Sequence, residues 1–290
     1  MKLFIFGLGY SATHIARRLA AGGAAIAATV RSQAKADLLS GSGYVVRQFA
    51  TAERDEAVAR ELADSDAVLI SVPPGARGDP VLQVYREDLA AASRVRWIGY
   101  LSTVGVYGDR GGGWVDEATV AAPTSEASRR RLDVEQQWLE FGATQRVPVQ
   151  IFRLAGIYGP GRNQLVQLAE GKARRIVKPG HVFNRIHVED IAQMVEASLG
   201  RPRAGAIYNG ADNEPAPPQD VVTFAAELCG VAPPPEIPYA EAELTPMSQS
   251  FFSECKRVRN ALLGDELGIT LRYPTFREGL TALRAAGDGP

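Results

Sequence analysis

Gly7, Gly9 and Ala12 stand at the spacing G-x-G-x-x-A, directly after the apolar run Leu3-Phe4-Ile5-Phe6 and ahead of a helical pattern with Ile15, Ala16 and Leu19 on one face. Glycines there let the backbone turn tightly and approach a ligand, and the following helix points its free N–H groups at whatever is bound. A pyrophosphate suits that arrangement, with Tyr10 and Ser11 at the helix start supplying amides. A second apolar strand, 24–30, completes a βαβ unit. It ends in Thr29-Val30-Arg31-Ser32-Gln33, without the Asp or Glu that would accept a ribose 2′-OH. A guanidinium fork beside a hydroxyl matches a 2′-phosphate instead. Arg31 and Ser32 therefore point to NADP(H) in preference to NAD(H).

Strand and helix patterns alternate through the first half to position this loop. Helices are expected over 32–40, 53–63, 80–95 and 125–141, and strands over 44–49, 67–72, 97–102 and 149–154. A continuous apolar run such as 67–72 belongs in a parallel sheet covered on both faces. Ligands of open α/β sheets bind at the carboxyl ends of such strands, so Val72 and Pro73 are expected beside the dinucleotide. Beyond Arg153 the pattern changes. A loop at 157–161, a helix over 163–170, a basic segment at 174–178, a helix opening at His187 and a strand at 206–209 are followed by proline-rich connectors at 215–218 and 233–238. Residues 1–155, completed by about 183–212, are expected to form the dinucleotide-binding part. Residues 156–182 and 213–290 would form a smaller substrate lobe.

Composition narrows the function classes. The 290 residues carry a net charge of −1, with both signs interspersed, so no broad attraction to nucleic acid or an anionic membrane is expected. Cys229 and Cys255 are far apart and lack metal-ligand spacing, which suggests neither a disulfide framework nor a metal site and fits a reducing cytoplasm. The N-terminal apolar run is too short for an export signal, and no run approaches the length of a membrane span.

A second set of motifs carries a family resemblance. Ser102-Thr103-Val104-Gly105-Val106-Tyr107-Gly108 followed by Asp116-Glu117, then Arg153 with Tyr158-Gly159-Pro160-Gly161, and Arg185-Ile186-His187-Val188-Glu189-Asp190 resemble the extended short-chain dehydrogenases/reductases of the epimerase/dehydratase group. The resemblance runs nearly end to end. It implies an α/β fold, a Rossmann-type doubly wound parallel sheet with a smaller C-terminal substrate-binding lobe, and a hydrogen bond from Thr103 to the substrate's reacting oxygen. It also implies a Tyr-x-x-x-Lys pair on the next helix, where the lysine and the cofactor ribose lower the tyrosine pKa. Aligned on Val134-Glu135-Gln136, the tyrosine place holds Ala127 and the lysine place Arg131; a register shifted by one puts Ser128 at the tyrosine place. Neither register supplies a phenol. Arg131 could still hold the ribose hydroxyls, although it does not titrate near neutrality.

These features place the chain nearest the atypical branch that lacks the pair. Two expectations follow. One is an NADP(H)-dependent oxidoreductase or nucleotide-sugar-modifying enzyme whose proton donor is Thr103, assisted by water or a loop tyrosine such as Tyr107 or Tyr158. The other is an NADP(H)-binding protein that does not turn over and reports cofactor level to a partner. By resemblance the substrate lobe takes a small molecule such as a nucleotide sugar, with Arg153, Asn184 and Arg185 as contacts and Arg162, Lys172, Arg174, Arg175 and Lys178 as further cations. Homodimerisation through the helix after the active-site strand is also implied. Arg129-Arg130-Arg131 on that helix read as a solvated face, and His187 as a structural hydrogen-bonding residue at a helix start.

Overall fold

In the computed structural model, which describes residues 1–50 and 53–290, the first half alternates strand and helix almost without interruption. The elements are β1 Lys2–Phe6, α1 Tyr10–Ala21, β2 Ala25–Val30, α2 Gln33–Leu38, β3 Val45–Gln48, α3 Glu56–Ala63, β4 Ala67–Ile70, α4 Pro80–Ala91, β5 Ile98–Thr103, β6 Trp114–Val115, α5 Glu126–Gln145 and β7 Val149–Leu154. The second half adds β8 Gly156–Tyr158, α6 Gln164–Ala169, β9 Arg175–Val177, β10 Arg185–His187, α7 Val188–Leu199, β11 Ala206–Gly210, α8 Pro218–Cys229, β12 Glu236–Pro238, α9 Pro246–Phe252, β13 Arg257–Val258, α10 Ala261–Asp265 and α11 Phe276–Ala285. Seven parallel strands form one sheet in the order β11-β7-β5-β4-β1-β2-β3. This is the Rossmann-type α/β architecture expected above. The order reverses between β1 and β4, so the crevice for a ligand opens where those two strands end.

The sheet has a core on each face because side chains alternate along a strand. Leu3 and Ile5 of β1 join Ile15 and Leu19 of α1 and Ile191 and Val195 of α7. Phe4 and Phe6 point the other way, to Leu62 of α3, Tyr85 of α4, and Val134, Trp138 and Phe141 of α5. Each of these side chains is at least 95% removed from solvent, which supplies roughly 1.5–3 kcal/mol per large residue. A separate cluster, Tyr158, Leu165, Val221, Phe276 and Leu280, packs the second lobe. Short parallel pairs, β8 with β10, β9 with β12 and β6 with β13, bring distant segments over the carboxyl edge of the main sheet. No helix among the described residues is long and apolar enough to cross a membrane.

Helices α1 and α7 lie side by side under the sheet. His14 Nδ1 is 2.6 Å from Glu189 Oε1, and Arg18 Nε donates to Glu196 at 2.6 Å. His187 caps α7 by accepting the Glu189 amide at 3.2 Å, the structural role expected for it. Asp190 accepts the amides of Arg272 and Tyr273 at 2.6 and 3.1 Å, which docks the C-terminal segment on the same helix.

Candidate active site

The glycine loop lies at the end of β1. Gly7 has φ +89°, a conformation side chains disfavour, and a Cβ on it would stand 2.9 Å from Val72 Cγ2 at the end of β4. Its amide donates to Thr29 Oγ1 at 3.0 Å, and the Leu8 amide to Thr29 O at 2.7 Å, so β2 holds the turn in place. At Gly9 a Cβ would meet nothing within 4 Å, so a side chain there would project into open space. Helix α1 begins at Tyr10 without a side-chain cap, whereas Ser32, Asp55, Asp79 and Ser125 cap α2 to α5. Uncapped N–H groups beside an open Cα position fit a pyrophosphate held by Gly9, Tyr10 and Ser11.

The structure adds one residue that the sequence pattern did not single out. Lys35 of α2 reaches back and donates from Nζ to Leu8 O at 3.2 Å, crossing towards the glycine loop from the side of Arg31 and Ser32. Arg31 is exposed, and Ser32 caps α2. On the opposite flank the Tyr10 hydroxyl donates to Pro160 O at 3.1 Å, with the Arg162 guanidinium 5.5 Å above its ring. Burial pushes the Tyr10 phenol up to about 12, so this contact persists as a neutral hydrogen bond.

Beside the ends of β5 and β7 lies a cavity of about 810 Å³, large enough for a sizeable small molecule. Thr103 at the end of β5 accepts the Gly105 amide at 3.1 Å and lines the cavity with Ser125, Ser128 and Arg131 from the start of α5. Asn184 and Arg185 form another wall. Asn184 is held from both sides, donating to Lys256 O at 2.9 Å and accepting the Val258 amide at 2.9 Å. Arg185 donates to Phe183 O at 3.0 Å and Ala216 O at 3.2 Å.

Several expected contacts are placed differently. Arg153 is 4% exposed, and its Nε and Nη2 grip Glu135 Oε2 at 3.1 and 2.8 Å, while Ser102 Oγ donates to the other Glu135 oxygen. The guanidinium also lies 4.8 Å from the Tyr107 ring centre. With its donors turned to a buried carboxylate, Arg153 braces β5, β7 and α5 and does not line the cavity. Tyr107 is fully buried and donates to Asn209 Oδ1 at 2.8 Å, and burial pushes its pKa up. Tyr158 reaches the cavity wall, but its hydroxyl is directed at Thr275 O, and a Cβ on Gly279 would fall 2.0 Å from it. The arginine run is divided. Arg129 caps a carbonyl at Thr124, Arg130 sits 3.5 Å from Glu126, and only Arg131 turns inward, donating to Tyr100 Oη at 3.2 Å and Leu101 O at 2.9 Å. Of the basic residues after Arg153, Arg162, Lys172 and Arg174 line the cavity; Arg175 pairs with Glu236 at 2.6 Å, and Lys178 donates to Phe252 O. Among the described residues no cluster of His, Cys, Asp or Glu could hold a metal ion.

Behind Arg185 lies an unexpected buried acid. Asp212 is 1% exposed; its Oδ1 accepts the Glu214 amide at 3.3 Å, and its Oδ2 has no partner. Burial pushes it up to about 8, with Glu214 and Asp190 adding to the rise and Arg185 opposing it. A folded pKa above the unfolded value of about 3.9 gives stability that is complete below that value and is lost as pH rises towards 8. Asp212→Asn should remove that slope. Urea denaturation at pH 5 and pH 8.5 should show the variant gaining on the native protein at the higher pH, by at most about 4 kcal/mol. A difference independent of pH would contradict the assignment.

No family model matches the chain. Protein YeeZ of Escherichia coli (strain K12) is 32% identical over 244 residues, 80% of this chain and 85% of that protein. A conserved protein of unknown function from Silicibacter pomeroyi DSS is 46% identical, with a TM-score of 0.89 over 99% of both chains. The fold extends to more distant enzymes. A dTDP-glucose 4,6-dehydratase from Bacillus anthracis str. Ames, solved in complex with NAD, superposes with a TM-score of 0.79 over 99% of this chain and 97% of its own, at 16% identity. At that identity the likeness concerns the fold, whereas the match to the Escherichia coli protein covers most of both sequences: the chain belongs to the family of Protein YeeZ.

Proposed function

We propose that the chain is an NADP(H)-dependent oxidoreductase of the epimerase/dehydratase-like short-chain dehydrogenase/reductase group, with an altered proton donor. The observation that carries the reading is the uncapped start of α1 behind Gly9, open at the topological switch point, with Tyr10 beside Arg162, a residue that lines the cavity together with Thr103. The NAD bound by the structurally similar dehydratase supports a nicotinamide dinucleotide in this cleft. Such a cofactor supplies a hydride donor or acceptor. Arg31, Ser32 and Lys35 supply two cations and a hydroxyl without an acid at the strand end, which favours a 2′-phosphate.

Thr103 is the group assigned to the reacting oxygen, because neither Ala127, which is exposed, nor Ser128, the residues at the family tyrosine place in the two registers, supplies a phenol. Tyr100, Tyr107 and Tyr158 all have bonded hydroxyls, and burial pushes all three phenols up, so none is poised as a base. That same absence favours a second reading, a dinucleotide sensor without turnover. Turnover in a substrate screen that vanishes in Thr103→Ala identifies an enzyme; a protein that binds the cofactor and converts nothing in the screen is read as the sensor.

The cofactor assignment has its own test. Fluorescence titration should show NADPH binding more tightly than NADH. Arg31→Ala and Lys35→Ala should each weaken NADPH about 5- to 10-fold and leave NADH nearly unchanged, as expected for loss of one charge-assisted bond. Tighter NADH binding, or an unchanged NADPH affinity in Arg31→Ala, would refute the phosphate assignment.

A further inference from the structure

Arg131 lines the cavity with a charge that no carboxylate among the described residues approaches within ion-pair distance. Nη1 directs both protons to neutral oxygens, the Tyr100 hydroxyl and the Leu101 carbonyl, and Arg131 forms no ion pair among the described residues. The neighbouring carboxylates are already engaged. Glu135, one turn further along α5, is taken by Arg153 and Ser102, and Asp79 caps α4 and accepts Trp138 Nε1 at 3.2 Å. The Nε–Nη2 edge of Arg131 is left, a parallel pair of N–H donors whose spacing matches the two oxygens of a carboxylate.

Two hydroxyls share that corner. Ser128 precedes Arg131 by three residues and so lies on the same side of α5. Its Oγ accepts the Ser125 hydroxyl at 2.9 Å, so its own proton remains available. Thr103 Oγ1 accepts the Gly105 amide, which likewise leaves its proton available. A methyl group at Gly105 would lie 2.8 Å from Ser128 Oγ and 3.3 Å from Thr103 Oγ1, so the two hydroxyls flank one small space. The corner presents the donors of Arg131 and Ser128 beside Thr103, and the ligand group that satisfies them is an acceptor without protons.

We infer that Arg131 and Ser128 form a subsite for a carboxylate carried by the substrate, beside the Thr103 hydroxyl that is assigned to the reacting oxygen. Arg162, over the Tyr10 ring, and Arg185, on the Phe183 and Ala216 carbonyls, also line the cavity without an ion pair among the described residues, but neither lies beside Ser128 on α5; the remaining cavity cations are differently committed. Lys172 pairs with Glu170 at 2.9 Å, Lys256 with Glu254 at 2.6 Å, and Arg174 donates to Glu243 O at 2.8 Å. The place of this subsite next to the reacting carbon rests on the dinucleotide reading above; its preference for a carboxylate does not. Arginine in place of a titrating lysine thereby acquires a reason, since a carboxylate anchor needs a fixed charge and a flat fork.

Calorimetric titration of oxalate into the full chain at saturating NADPH tests the subsite. Saturable binding is expected, at least tenfold weaker in Arg131→Gln and at least threefold weaker in Ser128→Ala. Gly105→Ala should reduce it similarly without altering any charge, because its methyl fills the space. Arg130→Gln, a neighbour paired with Glu126 that does not line the cavity, should match the native protein. The subsite is overturned if oxalate fails to bind while NADPH binds, if Arg131→Gln takes oxalate as the native chain does, or if Arg131→Gln loses NADPH affinity and keeps oxalate affinity. Tighter binding of inorganic phosphate than of oxalate overturns the carboxylate assignment. Failure of NADPH to bind overturns the dinucleotide reading instead, and oxalate titration of the protein alone then decides the subsite.

Discussion

Replacing Glu135 with alanine is expected to lower the free energy of unfolding by about 3–5 kcal/mol, because it strands the buried Arg153 guanidinium. Both side chains are almost fully removed from solvent, at 1% and 5% exposure. Arg153→Met should be comparably damaging, since it leaves the carboxylate with only the Ser102 hydroxyl for company. The double variant Glu135→Leu/Arg153→Met should lie within about 1–2 kcal/mol of the native protein, as apolar replacement of a whole buried pair removes the desolvation cost along with the attraction. Urea denaturation of the four proteins closes the cycle. Single variants that lose less than about 1 kcal/mol would show that the pair is not what braces α5 against β5 and β7. The effect should reach the cavity, because Arg131 sits one turn before Glu135 on the same helix.

The second large effect separates two glycines of one loop. Gly7→Ala places a side chain at φ +89° and pushes a methyl against Val72, so it should cost about 1–2 kcal/mol for the backbone alone and more for the contact. Gly9→Ala meets no atom and has φ −89°, so its stability should stay within about 0.5 kcal/mol of the native value. Both should weaken NADPH binding tenfold or more, one by deforming the cradle and the other by standing in it. Thermal denaturation beside fluorescence titration reads the two quantities separately. A Gly9→Ala protein with native affinity would remove the pyrophosphate from this loop.

How much of this was legible follows from how far apart the interacting residues lie. The run Leu3 to Phe6, the glycine spacing and the apolar stripe of α1 are local, and the sheet they predict is the sheet observed. Strand β7 and the start of β4 fell where the apolar runs placed them, because strands buried on both faces have few polar positions to blur their limits. The two- and three-residue strands of the second lobe left little pattern to detect. Glu135 could have been suspected, as it lies on the stripe Val134, Trp138 and Phe141 and so needed a buried partner. That the partner is Arg153, which the family resemblance makes a substrate contact, depends on strand order that one sequence does not contain. Lys35 and the side-chain role of Tyr10 were hidden differently. Their contacts, to Leu8 and Pro160, join loops across a cleft, and no periodicity marks a side chain that leaves its own element.

The packing of α1 against α7 has a consequence for how this molecule could be divided. Ile15 and Leu19 beneath the glycine loop are covered by Ile191 and Val195, and His14 and Arg18 are matched by Glu189 and Glu196, all contributed by chain made long after the loop itself. Strand β11 then adds to the sheet beside β7. The layer that carries the glycine loop is therefore not a transplantable module. A fragment ending after β7 would expose the apolar floor of α1, and any graft or truncation that preserves the cleft must carry residues 188–210 with it.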